Sequence, residues 1–185
     1  MTLLAAAPRN SGWWAGDVRV RSVLGSFRRD RPDDSVHALV RRFRAGDDAA
    51  STHVLEAARA AIRRDGALRG PSVAAVVVPG HDGEVQPGLT ELVAALAVGA
   101  GWRMEPRVLV RWTPVPEAKA RPARDPAAEA ASLSARLEVL PSTTATILLV
   151  DDVCASGATL QACATALRAE GWSGEIAALV IAVAR

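Results

Sequence analysis

Ile147-Leu148-Leu149-Val150-Asp151-Asp152-Val153-Cys154-Ala155-Ser156-Gly157-Ala158-Thr159-Leu160 is the stretch that decides how this chain is read. Its four leading aliphatic residues are too few for a helix and read as a strand buried on both faces, the kind a parallel sheet requires. Two carboxylates follow, then a run of small residues, then Leu160, Cys163, Ala164 and Leu167 at helical spacing up to Gly171. A buried strand feeding a helix through a short loop is half of a βαβ unit. Each part also has a chemical use. Adjacent carboxylates accept hydrogen bonds from vicinal hydroxyls, and small residues let backbone N–H groups at a helix N-terminus close around a phosphate. Ser156 and Thr159 add hydroxyl donors, so the stretch suits a sugar phosphate, with the ribose on Asp151 and Asp152 and the phosphate in the loop.

The same alternation extends outward. Residues 18–23 alternate apolar positions with Arg19 and Arg21, as a strand does. Asp33-Asp34-Ser35 then precedes Val36, Leu39, Val40 and Phe43 at helical spacing, with Arg41, Arg42 and Arg44 off the apolar stripe. Ser51 or Thr52 is the expected cap of a second helix that runs to Arg64, buries Val54, Leu55, Ala58 and Ile62, and stops at Gly66. Residues 73–78 form a continuous apolar run closed by Pro79-Gly80, a second buried strand. A helix over 90–98, a strand over 107–112, a helix over 127–137 and a strand over 176–183 complete the pattern. Between them, residues 113–126 hold Pro114, Pro116, Pro122 and Pro126, and read as a long irregular loop able to cover a site. The prediction is a single α/β domain over 34–185 with a mainly parallel sheet flanked by helices, and an N-terminal strand/helix extension over 1–33. Ligands of such sheets bind beyond the carboxyl ends of the strands.

Composition removes several classes. Of the 22 basic side chains in 185 residues all but Lys119 are arginine, and no glycine-rich loop surrounds that lysine, so a P-loop nucleotide hydrolase is excluded. With it goes the reading of 147–152 as a Walker B strand. A response-regulator receiver carries its acid pair near its beginning, whereas only 33 residues follow Asp152. No G-x-S-x-G elbow is present, no G-x-G-x-x-G follows a strand, and Gly99-Ala100-Gly101 follows a helix instead. Twenty acidic residues leave a net charge of +2, so a basic surface has to be local, as in the eight arginines between Arg19 and Arg44. If Arg41, Arg42 and Arg44 share a face they suit the phosphates of single-stranded DNA, against the reading of a solvated face interspersed with Asp30, Asp33 and Asp34. The two cysteines, Cys154 and Cys163, are too few for a zinc ribbon or a disulfide framework, and no apolar run reaches the roughly 18 residues of a membrane span, so a cytoplasmic protein is expected. Cys154 reads as filler beside the loop rather than a nucleophile, since no histidine partner is implied nearby. Trp13 and Trp14 read as packed on the domain or joined in a homodimer contact.

Val150-Asp151-Asp152 with Ser156-Gly157-Ala158-Thr159 resembles the phosphoribosyl-pyrophosphate (PRPP) signature of the type I phosphoribosyltransferases: four hydrophobes, two acids and a Thr/Ser-Gly-x-Thr loop. Within that superfamily the chain is most similar to the ComF-type proteins associated with bacterial competence. Phe43-Arg44-Ala45-Gly46-Asp47 resembles their aromatic-basic-x-Gly-Asp element, Val78-Pro79 with Gly88 and Glu91-Leu92 their pyrophosphate-side segment, and Thr113-Pro114 with Arg124 their proline-rich hood. The departures are an absent four-cysteine zinc module, Pro87-Gly88-Leu89-Thr90 in place of Arg-Gly-Phe-Asn, and Pro116 and Ala127 at the hood glutamine and asparagine positions. Ala155 stands where a threonine is common.

The resemblance implies a protein that binds PRPP with Mg²⁺ and transfers the phosphoribosyl group to or from a base or amine. Asp151 and Asp152 would take the ribose hydroxyls, and Cys154, Ala155, Ser156, Gly157, Ala158 and Thr159 the 5′-phosphate. Pro79 and Gly80 would lie beside the leaving pyrophosphate, under a lid bearing Lys119, Arg121 and Arg124, with Arg124 at the matching hood position. Mg²⁺ would arrive through the ligand, with Asp151 as the candidate protein contact. His81-Asp82-Gly83-Glu84 is acidic where the leaving group would sit, which calls for the ion. The alternative implied reading is a non-catalytic phosphoribosyl- or nucleotide-binding protein acting in DNA uptake or nucleotide sensing.

Overall fold

The computed structural model describes residues 13–31, 33–80, 84–104, 109–111, 137–139 and 146–185. Along them run β1 (Trp13–Ala15), β2 (Val18–Ser22), β3 (Ser26–Phe27), α1 (Ser35–Arg44), α2 (Asp48–Arg64), β4 (Val73–Val77), α3 (Pro87–Ala100), β5 (Arg103–Met104), β6 (Leu109–Arg111), β7 (Leu137–Val139), β8 (Thr146–Cys154), α4 (Ala158–Ala169) and β9 (Glu175–Ala184). The main sheet is ordered β1-β2-β9-β8-β4-β5, with β3 also on β9, and every pair is parallel except the β1–β2 hairpin. This is the α/β architecture expected from the alternation, and residues 13–27 contribute strands to the same sheet. β6 and β7 form a separate antiparallel pair in which Leu137 faces Arg111, so Leu137 is a strand residue rather than the end of a helix. The rest of the helix expected over 127–137, and the segment 112–126, lie outside the described residues.

Strands β8, β4 and β9 occupy the middle of the sheet and are apolar on both faces. Leu148, Val150, Val77 and Leu179 join a core with Val40 and Phe43 of α1, Val54 and Ile62 of α2, and Leu89 and Leu96 of α3. On the opposite face Ile147, Leu149, Val76 and Val180 join Leu160, Cys163 and Leu167 of α4. A parallel strand covered on both sides in this way needs the uninterrupted hydrophobic run that the sequence carries.

Three boundaries near the site differ from the sequence expectation, and a fourth falls partly outside the described residues. β8 does not end at Val150 but continues through both acids to Cys154, because β9 runs beside it to Ala184 and offers ladder partners to Asp151, Val153 and Cys154. α2 is capped by Asp47, whose carboxylate accepts from the N–H of Ala50 at 2.8 Å, so Ser51 and Thr52 fall inside the helix. Asp47 is available because Gly46 takes φ +77°, letting the chain reverse between α1 and α2. α3 begins at Pro87 rather than Thr90, since proline fits the first helical position, where no intrahelical N–H bond is made. The strand read over 107–112 is described only over Leu109–Arg111.

The first strands are tied to the body of the domain by charge. Arg21 Nε and Arg19 Nη2 lie 2.8 and 3.2 Å from Asp65 Oδ2. Burial pushes the Asp65 carboxyl up, but the Arg21 hydrogen bond and both guanidinium charges outweigh it and hold the group below its ordinary range. A carboxylate with a depressed folded-state pKa adds stability above its unfolded pKa, and that stability is lost as pH falls through the folded value. Asp65→Asn is therefore expected to cost about 1.5–3 kcal/mol at neutral pH. Thermal melts of wild type and variant should converge as the pH is lowered below the carboxylate range. No helix among the described residues is long and apolar enough to cross a membrane.

Candidate functional site

Asp151 and Asp152 are the sixth and seventh residues of β8, where side chains alternate between faces. Asp152 continues the Leu148–Val150 series toward α1, and there its carboxylate is gripped by Arg44 at the end of that helix. Nη2 donates to Oδ1 at 2.8 Å, and Nε donates to Oδ2. The hydrogen bond from the Arg44 fork raises the arginine's pKa above its ordinary value against the opposing effect of burial, and the charges of Asp152 and Asp151 add to it. Asp151 is tied to the neighbouring peptide, its Oδ1 accepting from the N–H of Asp152 at 2.8 Å, and its charge acts on Cys154. Both carboxylates line one cleft of about 660 Å³.

The loop after β8 turns sharply into α4. Gly157 takes φ +80°, and a Cβ built there would come within 2.8 Å of Ala15 Cβ, so β1 packs directly under the turn. Ser156 Oγ accepts from the N–H of Ala158 at 3.3 Å. Gly157, the N-cap residue, provides no side-chain cap, and Thr159 of the first helical turn lines the cleft beside the acids. Thr159 is the residue of this turn that reaches the cleft, while the N–H groups of Gly157 and Ala158 donate to Cys154 and Ser156.

Across the cleft lie Val78, Pro79 and Gly80 after β4, and Glu84, Gln86, Pro87 and Leu89 around the start of α3. The N–H of Gly80 donates to the carbonyl of Glu84 at 2.8 Å, so that amide closes the loop instead of facing a ligand. Among the described residues α3 also begins without a side-chain cap, and the buried Oε1 of Gln86 has no hydrogen-bond partner. The first turns of α3 and α4 therefore both reach the cleft lined by the acid pair, through Pro87 and Leu89 in one and Thr159 in the other. Phe43 braces this wall: its ring lies 3.4 Å from a Cβ built at Gly88, which fixes the end of α1 against the first turn of α3.

Charge in the cleft is unequal. Arg44 is the one cation lining it among the described residues, against carboxylates of Asp151, Asp152 and Glu84. Arg44 thus lines the candidate cleft, a placement that neither the solvated-face nor the nucleic-acid reading of the arginine cluster indicates. Arg42 is turned away onto Asp47 at 2.9 Å. Lys119, Arg121, Arg124, His81, Asp82 and Gly83 lie outside the described residues. Trp13 and Trp14 are in β1, paired with Val20 and Arg19. Among the described residues no group of three or more His, Cys, Asp or Glu could hold a metal ion.

Cys154 is buried below the loop. Desolvation, then the Asp151 charge, pushes its thiol up to about 11 against a hydrogen bond from Gly157 that acts the other way. A thiol in that state is a poor nucleophile at neutral pH. Native protein should react slowly with iodoacetamide at pH 7.5 and accelerate only in urea, and rapid native alkylation of Cys154 would contradict its environment.

No protein-family model matches the chain, and no curated protein matches it.

Proposed function

We propose that the chain binds PRPP together with Mg²⁺ and transfers the phosphoribosyl group between pyrophosphate and a base or amine. The observation that carries this reading is the convergence in one cleft of two strand-borne carboxylates, the first turn of α3 and Thr159 of the first turn of α4. Asp151 and Asp152 suit the 2′- and 3′-hydroxyls of a ribose. The turn from Cys154 to Thr159 suits a 5′-phosphate, received by backbone N–H groups and the positive end of α4. The start of α3 suits the pyrophosphate on C1.

The chain's part in the reaction is then positional and electrostatic. As the C1–O bond to pyrophosphate breaks and a C1–N bond forms, positive charge develops on the sugar ring, and the nearby carboxylates stabilise it. Pyrophosphate leaves with the bonding electron pair, and the proton of the acceptor nitrogen passes to solvent or to the departing pyrophosphate. Three carboxylates to one guanidinium line the cleft, so Mg²⁺ is expected to enter on the ligand, with Asp151 as the candidate protein contact. When bound it supplies charge neutralisation at the leaving group.

Thermal denaturation tests the reading. PRPP with Mg²⁺, at a hundredfold excess over Kd, should raise the melting temperature by about 5–10 °C. The shift should vanish in EDTA and in the Asp151→Asn/Asp152→Asn double variant. No shift at millimolar PRPP with Mg²⁺ rejects it. The acid-rich cleft also favours a second reading, a binding protein that retains the sugar-phosphate site without turnover. Release of pyrophosphate with any base or amine acceptor would exclude that one.

A further inference from the structure

The geometry points to Arg44 as the residue that makes this site select a ribose carrying a pyrophosphate on C1 over one carrying only a 5′-phosphate, an inference that rests on the PRPP reading above. A guanidinium has five N–H donors. Asp152 engages only Nε and Nη2, which leaves donors on the half-exposed head group, itself part of the cleft wall. Asp152 is only 14% exposed, so its side chain is held while the arginine retains access to solvent.

The position on the wall decides which phosphate Arg44 meets. Asp152 points to the face of the sheet covered by α1, α2 and α3, whereas the turn suited to the 5′-phosphate leads into α4 on the other face. Phe43, next in the chain to Arg44, is braced on Gly88 in the first turn of α3. Arg44 therefore stands between Asp152 and the start of α3, on the side where the C1 substituent lies when the 5′-phosphate occupies the α4 turn. Arg44 is the one cation lining the cleft among the described residues, so it is the side chain there that can meet a pyrophosphate's charge alongside Mg²⁺. Held by two bonds to Asp152, Arg44 is oriented before the ligand arrives, and a bidentate fork suits phosphate oxygens. It also couples the hydroxyl acceptor to the anion, since one side chain touches both.

The test compares two ligands on three proteins by calorimetry with Mg²⁺: PRPP and ribose 5-phosphate against wild type, Arg44→Gln and Arg44→Lys. Wild type should prefer PRPP. Arg44→Gln should weaken PRPP about tenfold or more while ribose 5-phosphate stays within about twofold, so the preference collapses. Arg44→Lys should keep part of it, because charge persists while the fork is lost. Equal weakening of both ligands would assign Arg44 to holding Asp152 alone and overturn the inference, as would unchanged PRPP binding in Arg44→Gln. If Arg44→Gln does not fold, indistinguishable affinities of Arg44→Lys and wild type for PRPP would overturn it, and a selective loss would sustain it. Wild type that binds ribose 5-phosphate but shows no preference for PRPP refutes the role of Arg44 and leaves the sugar-phosphate site standing. Wild type that binds neither ligand overturns the PRPP reading and this inference with it.

Discussion

Gly157→Val is expected to unfold the protein about 6–12 °C earlier than wild type and to abolish the PRPP-dependent thermal shift. Two separate costs fall on this position. The backbone sits at φ +80°, a region in which a β-branched residue is strained. The new Cβ would also lie 2.8 Å from Ala15 Cβ, a backbone-anchored atom of β1 that cannot rotate away. Left-handed strain and overpacking together amount to about 2–4 kcal/mol. The loss can be relieved only by moving the turn or β1, and moving the turn displaces the amides that would hold a phosphate. Gly157→Ala should show the same defect in milder form. A Gly157→Val protein that melts like wild type would mean that the turn is not held as described.

Leu149→Ala is expected to cost about 3 kcal/mol, or about 6–12 °C in melting temperature, without changing any cleft side chain. Leu149 has no solvent exposure and sits in the middle of β8 among Val76, Val180, Leu160 and Leu167. Strands on both sides fix the backbone, so the space left by the side chain cannot collapse. Two residues before Asp151, this variant separates support of the site from chemistry at it. Ligand binding measured well below the melting transition should be nearly retained, whereas Asp151→Asn/Asp152→Asn should lose binding even where the variant is fully folded.

The strand-helix alternation was legible because apolar periodicity is local. The run 147–150, the stripe through Val54, Ala58 and Ile62, and the spacing of Leu160, Cys163 and Leu167 each satisfy a rule that spans a few residues. Boundaries were less legible where a neighbouring strand settles them. Nothing between Val150 and Cys154 in the sequence indicates that β9 extends far enough to keep β8 paired through two aspartates. Likewise β3 has only two residues and exists because β9 offers it an edge.

The acid pair and the small-residue turn could be named from the sequence, since strand, acids and helix start are contiguous. Arg44 could not be assigned with them. It lies 108 positions from Asp152, and although it falls in the Phe43-Arg44-Ala45-Gly46-Asp47 element, nothing local says that it meets that carboxylate. The support of Gly157 by Ala15 was equally hidden, because a close approach between chain segments leaves no mark on either one alone.

By itself, then, the sequence determined an α/β chain with a buried parallel strand, two carboxylates at its end and a small-residue turn into a helix, since each follows from local periodicity and residue size. Only the tertiary structure decided that Asp152 is held by Arg44, that β1 props the turn at Gly157 and that the first turns of α3 and α4 both reach one cleft. Those relations depend on strand order and on which face of the sheet each helix covers, and such long-range choices are made by the burial of the whole core rather than by any segment within it.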